Sequence, residues 1–243
     1  MQTPTWVRAN ELNRWADSPA AKALLPELIE RLVKATVSRI HIQKCDFPSD
    51  AEVHRSRFDG TTVVSITSEF VPGGITLWEL GCDSSPRKKA EDDYTKRVEE
   101  QHPPASPADV SDFSEATFIF ATPRDWHPTK ARGGKPSVGM TDWAKAKSGE
   151  QVFKKVEAYD SSRLEQWIRE APAVGLWLAK QMGMPAKGVT DVTSHWLDVQ
   201  ASLRWPISPE ILLVTREALT QSFQKWLDSG AEVLAVALHL HTN

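Results

Sequence analysis

Phe58-Asp59-Gly60, a β-branched run, Leu77-Trp78-Glu79-Leu80-Gly81 and Arg87-Lys88-Lys89-Ala90 together form the stretch that decides the reading of this chain. Residues 61–67 (TTVVSIT) have the β-branched composition of a strand. Val71-Pro72-Gly73-Gly74 is a turn. Residues 75–80 form the next strand, with alternation that puts Trp78 on one face and Glu79 on the other. Residues 86–100, rich in Lys, Glu and Asp, read as a helix. An acid just ahead of one strand and a second acid inside the next converge at one sheet edge, and a lysine one short loop later reaches the same point. Two carboxylates and an ammonium are the minimal kit for holding a divalent cation against a phosphodiester.

Upstream, residues 9–16 and 19–35 read as helices, with Ser18 and Pro19 suited to the N-cap and first helical position. Leu24, Leu25, Leu28, Ile29, Leu32 and Val33 make an apolar stripe at helical spacing. Residues 40–43 are a short strand candidate and 47–57 a loop. Downstream, the three prolines of residues 101–112 mark a loop, and the continuously apolar 116–122 (ATFIFAT) suits a strand covered on both faces. Residues 123–150 read as a long polar loop with a helical turn near Trp143, and 153–159 as a strand. Two short helices over 161–181 divide near Pro172, with Asp160 or Ser161 as N-cap. Helices within 191–202 and 207–226 and a strand at 233–240 complete the pattern. This order predicts an α/β fold with a central mixed sheet flanked by helices.

The 243 residues allow one large domain with an appendage; the expected division is 1–200 and 201–243. No apolar run approaches the roughly 20 residues of a membrane helix, and the N-terminus lacks a signal-peptide layout, so a cytoplasmic location is expected. Cys45 and Cys82 cannot make a disulfide framework or a zinc site alone. A net charge of −3 does not advertise a nucleic-acid binder, but a local basic cleft matters more than the total.

Asp59-Gly60 alone is an ordinary turn signal; Glu79, between Trp78 and Leu80, needs a partner or a metal if buried. Lys88 and Lys89 suit a solvated helix face, yet Lys89 sits where the first helical turn looks back at Glu79 and can stabilise charge at a phosphorus centre. Glu27 is a further candidate metal ligand from the first long helix. Tyr94, Arg97, Arg124, Trp126 and Lys130 are candidate nucleic-acid contacts, Arg and Lys for phosphates and aromatics for bases. Arg132-Gly133-Gly134-Lys135 lacks Walker spacing, which excludes a P-loop there, and His239 and His241 lack a third ligand nearby.

LPELIERL (25–32), FPSDAEV (47–53), FDG (58–60), VPGGITLWELG (71–81), KKAEDDYTKR (88–97), FIFATPRDW (118–126), VEAYDSSRLEQWI (156–168) and GLWLAKQMG (175–183) together resemble a bacterial family of restriction-endonuclease-like domains of the PD-(D/E)XK nuclease superfamily. These stand at the N-termini of antiphage-defence proteins, ahead of a STAND-type NTPase. The resemblance implies a three-layer core and Mg²⁺- or Mn²⁺-dependent cleavage of DNA. It puts Asp59 and Glu79 on the metal and makes Lys89, or Lys88, the catalytic lysine. It also implies control by homo-oligomerisation or NTPase-driven assembly, with residues 201–243 leading toward that module. One departure stands out: the family's acid-x-lysine word reads Glu79-Leu80-Gly81 here, so the lysine would have migrated to the following helix. The alternative is a catalytically inactive module that uses the same groove to bind nucleic acid or a protein.

Overall fold

Three consecutive antiparallel strands start the sheet, the second and third joined through a glycine-bearing turn. The computed structural model of the chain describes residues 5–48, 58–99, 113–128 and 138–184, and single helical positions at 196, 200, 201, 221, 224 and 225. Strands β1 (Ile42–Asp46), β2 (Gly60–Val64) and β3 (Gly74–Leu80) pair antiparallel in sequence order. Gly74 opens β3 at φ +91°, a left-handed conformation that the Val71-Pro72-Gly73-Gly74 turn needs and that glycine takes without penalty.

β4 (Ala116–Ala121) and β5 (Lys155–Tyr159) then add parallel to β3 and to each other, giving a five-stranded mixed sheet in the order β1-β2-β3-β4-β5. Parallel neighbours need crossover connections. Helix α3 (Pro86–Glu99) lies in the first, and α4 (Met140–Gly149) in the second. The other helices are α1 (Ala9–Trp15), α2 (Pro19–Thr36), α5 (Ser161–Glu170) and α6 (Pro172–Gln181). Ser18 caps α2 by accepting from the Ala21 amide, and Asp160 caps α5 by accepting from the Ser162 and Arg163 amides.

Strand alternation sorts the core into two clusters. Trp78, Leu80, Ile119, Ala121 and Tyr159 pack with the buried stripes of α1, α2, α5 and α6. Leu77, Phe118, Phe120, Val156 and Ala158 pack with Ala90 and Tyr94 of α3 and Trp143 of α4. The α/β class with a mixed sheet flanked by helices is therefore as the sequence predicts. The first cluster centres on a stack in which Trp167 lies between Phe70 (centroids 5.5 Å) and Trp78 (6.0 Å), with the Trp167 indole N–H donating to Thr36.

Two local expectations change. The first strand runs Ile42–Asp46, not 40–43, because residues 39–41 form a 3₁₀ turn that leaves Ile40 83% exposed. The region read as a long loop contains the ten-residue helix α4, whose Trp143 is buried. The chain divides into two compact units, Met1–Lys187 and Gly188–Asn243. The loop at 101–112, Arg132, Lys135, His239, His241 and the strand at 233–240 lie outside the described residues, as do the helices at 191–202 and 207–226 apart from the single positions above. Among the described residues, no helix is long and apolar enough to cross a membrane.

Candidate functional site: an acid pair, a helix lysine and a third carboxylate

Asp59 and Glu79 are brought together by strand register. Gly60 pairs with Trp78, so the antiparallel step before it sets Asp59 opposite Glu79. The Asp59 carboxylate confirms this by accepting from the Leu80 amide at 2.8 Å. Glu79 alternates with Trp78 and Leu80, which face the α2 and α5 layer, so its side chain lies on the α3 face. It is 2% exposed. Its carboxylate accepts from Arg97 Nε at 2.5 Å, and the Arg97 guanidinium lies 5.2 Å from the Phe58 ring centroid.

Helix α3 supplies the rest of the cluster. Lys89, Asp93 and Arg97 stand four residues apart, hence on one face. Lys89 Nζ donates to Asp93 Oδ1 at 2.6 Å. The Lys89 stem crosses the end of β3 at Gly81, where an added Cβ would lie 2.9 Å from Lys89 Cγ and 3.0 Å from Phe120 Cζ. The Lys89 stem thus fills the space that a side chain at position 81 would take. Lys88 points away and pairs with Asp92 on the exposed side of the helix.

The charges in this cluster perturb one another. Burial, followed by the neighbouring Asp59, pushes the Glu79 carboxyl up to about 8, against the pull of Arg97. Burial also raises Asp93, opposed by its bond to Lys89. Burial draws the Lys89 ammonium down, but Asp93, Glu79 and Asp59 together outweigh it and leave the group raised. Three carboxylates face two cations, and the second oxygen of Asp93 is buried without a hydrogen bond.

Carboxylate oxygens are the ligands a hard dication takes. Burial is the main cause of the raised Glu79 carboxyl and Asp59 the second, so an ion held between the two acids would displace the Glu79 proton. Among the described residues, no three His, Cys, Asp or Glu side chains gather as a ready metal shell. Asp59 and Glu79 would hold the ion as a pair, which suits Mg²⁺, an ion that keeps several waters and takes one or two carboxylates.

The remaining sequence candidates are placed differently. Glu27 pairs with Arg31 on α2, and α2 covers the Trp78 face of the sheet, opposite the face of Glu79. It is not brought to the acid pair. Tyr94 is 2% exposed and packs edge-on against Phe118 and Trp143, so it is core and not a backbone contact. Trp126 is likewise buried, against Phe120 and Trp143. Both corrections have one cause: the aromatic side chains of α3, β4 and α4 fill a single cluster beneath the sheet. Arg124 is engaged internally, donating to the Cys82 and Asn13 carbonyls and pairing with Asp17. Arg97 serves Glu79. Lys130 lies outside the described residues. Asp93 was missed, since Asp92 stands at the same four-residue spacing from Lys88 as Asp93 from Lys89.

No family model matches this chain, and comparisons with curated proteins and with solved structures return no match either.

Proposed function

We propose that this chain is a Mg²⁺- or Mn²⁺-dependent endonuclease domain of the restriction-endonuclease-like type, cleaving DNA phosphodiester bonds in antiphage defence. What carries the reading is the meeting of Asp59, Glu79 and Lys89: the acids face each other across β2 and β3, and the lysine stem fills the space above Gly81. Asp59 and Glu79 would hold the ion, which when bound polarises a phosphoryl oxygen and lowers the pKa of bound water. Lys89 places a fixed positive charge beside the acids, suited to the negative charge that grows on phosphate oxygens as water attacks. Oligomer- or NTPase-driven assembly in the cytoplasm would restrain such an activity.

A second reading has its own support. Arg97 already neutralises Glu79 in a buried pair, as a catalytically inactive binding module would need. Plasmid cleavage with Mg²⁺ by the wild type, Asp59→Ala and Glu79→Ala separates the two. A nuclease loses cutting in both variants; equal cutting by all three refutes the site. Mn²⁺ calorimetry adds a readout without turnover, since the inactive module shows no carboxylate-dependent ion binding.

A further inference from the structure

We propose that Asp93 is a positioning residue that holds Lys89 over Gly81, within electrostatic reach of Asp59 and Glu79; this rests on the nuclease reading above. Three observations carry it. Asp93 binds the lysine directly, Oδ1 to Nζ at 2.6 Å, and is itself only 8% exposed.

Secondly, helix stability is a weak reason for this pair. Lys89 follows Pro86, Arg87 and Lys88 in the opening turn of α3, where the helix dipole disfavours cations. Lysine four residues ahead of an acid is also the weaker orientation for helix support. Helix stability favours this pair no more than Lys88–Asp92, and burial sets it apart: its side chains are 33% and 11% exposed against 75% and 56%.

Thirdly, Asp93 is half satisfied. Among the described residues its Oδ2 is buried with no hydrogen-bond donor, an unfavourable state, so the hydrogen bond to Lys89 is the contact that holds the carboxylate. The oxygen that is bonded is the one that fixes the ammonium. The acid-x-lysine word of one strand is thus rebuilt here from two elements, Glu79 on β3 and the Lys89–Asp93 pair on α3.

The experiment compares wild type, Asp93→Asn and Asp93→Ala by steady-state DNA cleavage, Mn²⁺ calorimetry, thermal unfolding and acylation of the Lys89 amine read by peptide mass. In Asp93→Ala, kcat is expected to fall about 10- to 100-fold, while KM and Mn²⁺ affinity stay within about threefold. Lys89 acylates at least about threefold faster once its charged partner is gone. Asp93→Asn keeps an acceptor oxygen, folds like wild type and falls between the two. Unchanged kcat in Asp93→Ala, or unchanged acylation of Lys89 in both variants, overturns the proposal. A wild type that cuts no DNA sinks the nuclease reading instead, and faster Lys89 acylation in the variants then still supports the hold of Asp93 on the lysine.

Discussion

Replacing Gly81 with alanine adds one methyl group where Lys89 crosses the end of β3. Gly81 does not have a left-handed φ, so alanine fits its backbone. The new Cβ would stand 2.9 Å from Lys89 Cγ and 3.0 and 3.2 Å from the Phe120 ring. Carbon atoms prefer about 3.5–4.0 Å, so a shift of roughly 0.6 Å or more is forced at the lysine. Phe120 is fully buried beneath the sheet, whereas a third of the Lys89 side chain is exposed; the lysine is the group that gives way. Overpacking costs about 1–3 kcal/mol and the lost freedom of the unfolded glycine returns about 0.4–1, so the net loss is about 0–2.5 kcal/mol. Tm should fall by no more than about 10 °C. Displacing the ammonium by about 1 Å can cost on the order of 100-fold in rate, so plasmid cleavage in Mg²⁺ should drop about 10- to 100-fold at a temperature where the variant is fully folded. Because both substitutions act through one lysine, Gly81→Ala on a Lys89→Ala background should add little further loss. Wild-type cleavage by Gly81→Ala, or log effects that simply add in the double variant, would refute the migrated lysine.

Glu79 gives a pH signature. Its carboxyl is raised to about 8, so the folded state keeps a proton that the unfolded state loses in the ordinary carboxylate range. That contribution to stability is present at acid pH and is lost as pH rises toward 8, at up to about 1.4 kcal/mol per pH unit. Denaturant titrations from pH 5 to 8 should show wild type weakening relative to Glu79→Gln; parallel profiles would contradict the shift. Metal binding needs the ionised carboxylate, so Mn²⁺ affinity measured by calorimetry should rise with pH over the same interval and be lost in Glu79→Gln. Arg124→Ala removes donors from the Cys82 and Asn13 carbonyls and should cost about 2–3 kcal/mol by chemical denaturation, with DNA affinity at matched salt unchanged. Trp167→Ala empties the stack between Phe70 and Trp78 and should cost about 3–5 kcal/mol, read as a Tm loss of more than about 6 °C.

The strand pair that carries the acids was legible because β-branched runs and a glycine turn leave few alternatives, and register then sets Asp59 opposite Glu79. The choice between Lys88 and Lys89 was not, since adjacent lysines on a polar helix differ only in which face packs. Tyr94 resembles a surface aromatic because charged residues surround it in sequence, yet it fills a cluster built mainly by β4, α4 and β5, residues far away in the chain. Helix α4 escaped the same way: its pattern is weakly amphipathic, and one buried Trp143 docks it. Asp93 was hidden in the run Glu91-Asp92-Asp93, where only the fold separates solvated acids from the buried one.

A lysine fixed to the same strand as its acid moves with it and offers nothing to grip from outside. Carried on α3, the ammonium sits near one end of a fourteen-residue helix anchored by Tyr94 among Phe118, Trp143 and Phe153. The Lys89 amine and the Arg97 guanidinium therefore share one carrier, and any substitution that reseats α3 on the sheet reaches both cations of the cluster at once.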